Sequence, residues 1–327
     1  MPERTTVTQV CQLRVEVTPG TAVAANKKLP SLSIDGAIKT NIDKYRPLGN
    51  KFPTIHAQGK EWVEAKIGGE PTYSELGYIF SSLLAYAAPV QQAATTAYKQ
   101  TLAPASTTED TIKTYTIERG SSVRADKFAY GIVSAFNLQG SRDDVACSGM
   151  MLGQAISDGI ALTGGPTSLE QIPMLPKEFD VYLDTTSGGL GGTKLTRVLR
   201  WEIDIKNRFA PLWVVNSANP SWVAHVETPI EAQIKLKVEA DSTGMGLLTP
   251  LRDGTTRFVR IKGTGGQLAG TAIPYSLTWD FAVQIADVSD FSDEDGVYAV
   301  EFTLDVVHDA TWTKAMTLDI INKVTAL

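Results

Sequence analysis

Three histidines, two cysteines and a run of carboxylates are the residues of this chain whose types could do chemistry. His56, His225 and His308 are scattered, and none has a second ligand at metal spacing, so they read as surface or interface histidines. Cys11 and Cys147 lie far apart, match no metal or redox pattern, and read as reduced, buried or half-buried thiols. Gly263-Thr-Gly-Gly-Gln267 lacks the Lys-Ser/Thr of a phosphate loop and reads as a turn between strands. Ser148-Gly149 lies within a strand and makes no nucleophile elbow. The stretch Asp287 to Gly296 carries Asp287, Asp290, Asp293, Glu294 and Asp295, which invites a calcium site. It fails the calcium-loop template, with Phe291 where an acid is needed and Phe302 where a bidentate Glu is needed. No nucleophile–base pair can be assembled, so no enzyme, metal or cofactor is expected.

The six tryptophans could stack on sugars. Trp201 and Trp279, however, fall on apolar strand faces and belong to a core. Trp62, Trp213, Trp222 and Trp312 lie near strand ends, where aromatic anchors of protein interfaces are common.

The elements that position these residues are strands. In Tyr275–Ala286, Trp279, Phe281, Val283 and Ile285 share one face. In Val297–Val307, Val300, Phe302, Leu304 and Val306 do the same, opposite Glu301, Thr303 and Asp305. This period-two pattern predicts a long antiparallel hairpin with one buried face and an acidic tip. Further strands are predicted at Gln12–Thr18, Leu32–Ile42, Trp62–Ile67, Ile112–Glu118, Phe128–Gln139, Asp143–Leu152, Phe179–Asp184, Leu199–Lys206, Glu231–Ala240, Thr255–Lys262 and Ala315–Val324. The chain is expected to turn at Lys44-Tyr-Arg-Pro-Leu48. Leu76, Ile79, Phe80 and Leu83 have helical spacing, with Thr72 and Glu75 as a capping box. A shorter helix is expected at Gly244–Leu251. Ala87–Thr111, rich in Ala, Thr, Gln and Pro, reads as an exposed loop without order in the free chain.

The two halves overlay. Asn26-Lys-Lys-Leu29 falls on Gly192-Thr-Lys-Leu195, and Lys44-Tyr-Arg-Pro-Leu48 on Arg208-Phe-Ala-Pro-Leu212. In each half a helix, a strand and a long hairpin follow. The fold class is therefore mainly β: two tandem sandwich or barrel units, each with a short flanking helix. Their bounds are 1–165 and 195–327, with 166–194 as connector and first strand and loop of the second unit. Two similar surfaces in one chain can occupy adjacent places in a ring, so three chains would imitate six subunits.

At 327 residues, 43% hydrophobic and 20% charged, the chain can bury a large core. The formal net charge of −6 argues against gripping nucleic acid by its phosphates, though not against letting it slide past. The N-terminus lacks the apolar run of a signal peptide, and no stretch approaches the ~18–20 apolar residues of a membrane span. Synthesis in a cytoplasm and no membrane contact are expected.

The chain resembles the major tail tube proteins of bacteriophages with long, non-contractile tails. The resemblance rests on Pro71-Thr-Tyr-Ser-Glu-Leu-Gly-Tyr-Ile79, Val133-Ser-Ala-Phe-Asn-Leu138 leading into Val145-Ala-Cys-Ser-Gly149, Trp222-Val-Ala-His-Val226 and Asp290-Phe-Ser-Asp-Glu-Asp-Gly-Val-Tyr-Ala-Val-Glu301. It implies a virion protein, made in the host bacterial cytoplasm, that self-assembles into rings whose sheets join into an inner barrel. The rings stack into a tube through which DNA passes without specific binding. Terminator, tape-measure and distal tail proteins are the further partners it implies. Two units per chain favour a trimeric, pseudo-hexameric ring. The tip residues Asp287, Asp290, Phe291, Asp293, Glu294 and Asp295 are the candidate inter-ring contact. Glu202, Asp204, Asp280, Glu301 and Asp305 are the candidate lumen face, although Arg200, Lys206, Lys235 and Lys237 lie on similar faces. The alternative is a β-rich receptor- or carbohydrate-binding virion or surface protein, with exposed tryptophans as its site.

Overall fold

The computed structural model describes residues 6–215, 220–241, 245–246 and 248–327, and the chain is mainly β. The first half runs β1 (Val10–Val15), β2 (Lys27–Leu29), β3 (Leu32–Tyr45), β4 (Ile55–Gly69) and helix α1 (Leu76–Leu83). It continues through β5 (Val90–Gln91), β6 (Tyr98–Leu102), β7 (Tyr115–Gly120), β8 (Ala125–Gly140), β9 (Val145–Gly153), β10 (Ile156–Ile160) and β11 (Thr167–Ser168). The second half runs β12 (Phe179–Asp184), β13 (Lys194–Leu195), β14 (Val198–Lys206), β15 (Phe209–Leu212), β16 (Ala224–Glu227) and β17 (Glu231–Glu239). Helix α2 (Leu248–Asp253) follows, then β18 (Arg257–Gln267), β19 (Pro274–Val288), β20 (Ser292–Glu294), β21 (Val297–Val306) and β22 (Met316–Asn322).

The halves share one pairing diagram. In the first, β1 pairs with β2 and β7, β7 with β8, β8 with β9 and β10, β9 with β4, and β4 with β3. In the second, β12 pairs with β13 and β18, β18 with β19, β19 with β21 and β22, β21 with β17, and β17 with β14. The registers agree along most rungs of β3–β4–β9–β8 and β14–β17–β21–β19, though β7–β8 carries an irregularity between Tyr115 and Ile117 that β18–β19 lacks. Setting the rung Ile34–Ile67 on Trp201–Leu236 places Gly149 on Phe302 and Val133 on Ile285. The irregularity between Val133 and Ala135 then coincides with the one between Ile285 and Asp287. A bulge bends its strand, and here it marks where β8 and β19 pass from one sheet to the next.

Leu29 pairs with Cys11 and Leu195 with Val181, in step with the first sequence overlay. The second overlay is out of step. The rung Tyr45–Ile55 corresponds to Leu212–Ala224, so Tyr45 answers to Leu212 and not to Phe209.

The β8–β14 pair joins the halves into a continuous sheet. Residues Phe136–Gly140 of β8 pair on one edge with β9 and on the other with Trp201–Ile205 of β14. The strand order is therefore β3-β4-β9-β8-β14-β17-β21-β19. One cluster of buried apolar residues runs through both halves. Phe80 of α1 sits edge-on to Phe136 at 5.3 Å and to Trp279 at 4.9 Å, which ties the helix to each half. The expected Thr72–Glu75 pair bonds just before α1, the Glu75 N–H donating to Thr72 Oγ1 at 3.2 Å and the Thr72 hydroxyl to Glu75 at 2.7 Å, but it is not a capping box, since Glu75 is the N-cap and no side chain caps the helix. Glu75 also accepts from the Ser31 and Leu32 N–H groups, so its buried carboxyl is hydrogen-bonded.

Three other local expectations are corrected. Ala87–Thr111 is no loose loop: β5 pairs with β6, and β6 adds to β22 of the other half. Its inward row is Gln100 and Leu102, and the Gln100 amide donates to Ser81 Oγ and Ala87 O at 3.1 and 3.0 Å. A satisfied glutamine replaced the apolar residue that would have revealed the alternation. Gly263–Gln267 is the end of β18, where Tyr73 and Phe179 lie against Gly265 and Gly263. The second helix runs past Pro250 to Asp253; Gly244 and Leu247 of the expected Gly244–Leu251 lie outside the described residues.

Candidate assembly surface

Alternation sends Trp201, Ile203 and Ile205 of β14 into the core and Arg200, Glu202 and Asp204 to the other face. The partner strands repeat this, so polar residues line up in rows across the sheet. One row is Gln139, Glu202, Lys235 and Thr303; the next is Asn137, Asp204, Gln233 and Asp305. Cross-strand bonds hold the rows: Asn137 donates to Glu202 at 2.8 Å, Arg200 to Gln139 at 2.6 Å and Gln233 to Asp305 at 2.8 Å. Lys206 pairs with Asp204 at 2.5 Å. Four of the five expected lumen residues, Glu202, Asp204, Glu301 and Asp305, share this face. Asp280 does not. It lies on the part of β19 that pairs with β18 and β22, is 8% exposed, and takes a bidentate pair from Arg260 at 2.6 and 2.8 Å. Strand β19 leaves one sheet for another partway along, so residues with one period-two phase face two different surroundings.

The acidic tip extends the β19–β21 hairpin. The Ser289 N–H donates to Glu301 O at 2.8 Å, and β20 pairs with β21 up to Glu294–Val297. Asp295 and Gly296 make the two-residue turn, with φ of 53° and 79°, as the Asp-Gly dipeptide of a tight hairpin does. Phe291 stacks on Tyr298 at 4.6 Å, and both are largely exposed. Lys237 bonds to Glu294, and Arg142 pairs with Asp295 at 2.6 Å, so the tip curls over the polar face. The Lys237 bond holds the Glu294 carboxyl below its ordinary range. Asp287 and Asp290 are exposed, Asp287 opposite Thr303 at the end of the first polar row, and Asp293 accepts from the Gly296 N–H at 3.0 Å. Among the described residues, no cluster of three or more His, Cys, Asp or Glu could hold a metal ion. Burial pushes the Cys11 and Cys147 thiols up to about 12, so neither is a reactive thiolate.

Both lateral edges of this sheet take no further strand among the described residues, although the Arg119 guanidinium donates to Gly36 O of β3 at 2.7 Å. β3 pairs only with β4, and β19 beyond Val283, continuing into β20, pairs only with β21. These two edges are the counterparts of β14 and of Phe136–Gly140, the strands that meet at the junction inside the chain. A groove of about 840 Å³ flanks the β3 edge, lined among others by Lys28, Ser31, Asp35, Arg119 and Arg124.

Sequence reasoning missed the arms. The β3–β4 hairpin runs straight out of the sheet, exposing Ile38, Ile42, Tyr45, Leu48, Phe52 and Ile55. Its counterpart in the second half is β15–β16, where the rung Phe209–Glu227 answers to Ile42–Gln58. That arm breaks from β14 at Asn207, which has a φ of 52°, and folds onto the first half. Trp222 lies against Tyr130 at 4.2 Å and donates to Gly153 O at 3.0 Å, and Trp213 sits edge-on to Trp62. The Arg208 guanidinium, fully buried, bonds to Leu83 O, Asp110 and Glu227. His225 contacts the Tyr130 hydroxyl at 3.2 Å, and burial holds its imidazole below the ordinary range. By the same register His225 answers to His56 on the exposed arm. The overlooked signal was a run of spaced apolar residues, Ile38, Ile42 and Tyr45, resuming at Ile55 beyond the turn. No protein-family model matches the chain, and no curated protein matches it in sequence.

Proposed function

We propose that this chain is a structural, self-assembling subunit of a phage tail tube, three copies closing a pseudo-hexameric ring whose polar sheet face lines the lumen. One observation carries the reading. β14 adds to β8 within the chain, while the outer edges of their counterparts, β3 and β19–β20, take no further strand among the described residues. Repeating the internal junction between copies sets Ile34–Ile38 of one chain against Val288–Ser292 of the next. Exposed strand edges invite pairing, and ring closure removes them. The acidic tip then sits at the lateral seam, beside the groove along β3, and its turn remains available to a stacked ring. The lumen rows mix Glu202, Asp204, Glu301 and Asp305 with Lys235, Lys237 and Arg200, so DNA meets a face of mixed charge on which Lys237 and Arg200 already have partners. The glycan-binding alternative has less support, because Trp222 and Trp279 are buried and Trp62 and Trp213 face each other.

The test is electron microscopy of concentrated protein together with an Ala37→Cys/Ser289→Cys variant, whose positions answer to the Asp204–Asn137 rung. Disulfide-linked closed trimers and rings of three chains are expected. A strict monomer at every concentration, or six chains per layer, would sink the ring as drawn.

A further inference from the structure

The two arms raise the question of what the exposed one is for, and the folded one supplies the answer by position. Arm β15–β16 leaves the sheet between β14 and β17 and lies back across the junction, over β8, β9 and β4 of the preceding half. It is seated there by more than Trp222. Pro220 O accepts from the Glu61 N–H at 3.1 Å, the Ser221 hydroxyl donates to Glu61 O at 2.6 Å, and the Gln154 amide donates to Trp222 O at 2.8 Å. The register carries this seat onto the second half: Glu61 answers to Ile230, Val63 to Ala232 and Gly153 to Val306. At that place there is an open cavity of about 520 Å³, lined by Ile230, Ala232, Val306, His308, Ala315 and Met316 on one side. Pro104 to Glu109 and the arm-root residues Arg208 and Glu227 line it as well. Its size falls within the ~300–1,000 Å³ of sites that bury a whole ligand. Where the filled seat has Trp62 and Tyr130, this one has Glu231 and Ala282, so the aromatic bulk is missing from its walls.

We infer that this cavity is the seat of the β3–β4 arm of a second copy, with Phe52 and Leu48 as the inserted side chains. The connection 46–54 answers to 213–223, so Phe52 falls beside the position of Trp222. Phe52 is 77% exposed and Leu48 fully so. The occupant comes from another copy because of direction. The folded arm lies over the strands that precede its own root, and for β3–β4 those strands belong to whatever joins the β3 edge. The bend has a site as well: Asn207 answers to Thr40, where the β3–β4 register shifts. An apolar anchor in a desolvated pocket beside a strand junction is the arrangement that dominates interface energies.

The inference rests on the ring reading, so its test runs beside the edge cross-link. The full chain carrying Phe52→Cys and Met316→Cys is oxidised under assembly conditions, and Leu48→Ser/Phe52→Ser is assayed for rings by light scattering. Expected are an intermolecular disulfide and about a tenfold or greater rise in the protein concentration needed for rings. The melting of the dilute chain stays unchanged. If the Ala37–Ser289 cross-link forms while the arm cross-link fails and the serine variant assembles normally, the arm inference falls and the ring stands. If neither cross-link forms, both fall.

Discussion

The two arms of this chain have one register and opposite fates. Ile205 is 0% exposed and its counterpart Ile38 is 55%; Phe209 is 5% exposed and its counterpart Ile42 is 50%. Local propensity does not separate them, since each is a hairpin with apolar residues at matching rungs. What differs is whether the chain itself provides a surface. Arm β15–β16 finds the first half within reach and buries Phe209 and Trp222 there, at about 25 cal/mol per Å² of apolar area, while Leu212, Val223 and Val226 stay exposed. Arm β3–β4 finds none, and keeps its apolar residues in water. Single exposed apolar residues are ordinary, but Ile42, whose counterpart Phe209 is buried, and Phe52, beside the position of buried Trp222, mark a surface awaiting a partner.

The largest effects should come from unseating the folded arm. Trp222→Ala and Phe209→Ala are each expected to cost about 3–5 kcal/mol in urea unfolding of the dilute chain. Ile42→Ala, at the counterpart of Phe209, should stay within about 0.5 kcal/mol. An equal cost at Ile42 would mean that the first arm is already packed in the free chain, and the contrast would collapse.

Arg208→Met should follow, at about 3 kcal/mol, because it removes one partner from a buried ionic cluster. Burial already pushes the Asp110 carboxyl up, and Arg208 is the nearest group opposing that. For an acid whose pKa is raised on folding, stability is gained as pH falls through that raised pKa. The variant should therefore recover part of its loss toward acid pH, and Asp110→Asn in the same background should recover it at neutral pH. The counterpart Asn41 is exposed, and Asn41→Met should leave the unfolding midpoint unmoved. No recovery with Asp110→Asn would show that packing of the Arg208 stem, not charge, holds the arm root.

How far the sequence foretold these contrasts depends on what each residue's neighbours are. The β19–β21 hairpin was legible because its alternation is unbroken, and the Thr72–Glu75 pair, though not its place in the helix, because its bonds are local. Glu202, Asp204, Glu301 and Asp305 were legible as one face for the same reason. Asp280 was grouped with them wrongly, since period two reports a side of a strand and not which sheet that strand is in. β6 was hidden by Gln100, whose burial is compensated by Ser81 and Ala87, residues that only the fold brings near. The arms were hidden differently: Pro47-Leu-Gly-Asn50 marks a turn in any reading, but whether the strands before it are covered depends on residues far along the chain.

The smallest effect, and the finest comparison, belongs to the paired histidines. His225 is half-buried against Tyr130 and the Phe209 ring, with Glu227 and Glu109 favouring its protonation and burial and Arg208 opposing it. Because burial lowers its pKa on folding, its contribution is complete above the unfolded value of about 6.5 and declines as pH falls below it. Tryptophan fluorescence should report a slight loosening of β15–β16 on moving from pH 7.5 to 5.5, absent in His225→Gln; an unchanged shift in that variant would assign it to another group. His56, at the counterpart position, is exposed in the free chain. Acylation of the imidazoles should therefore be fast at His56 and slow at His225 before assembly. In rings, a seated first arm should slow His56 to the rate of His225. A His56 that stays fast in fully formed rings would leave the two arms unlike even in the assembly, and the comparison between them would then describe the free chain alone.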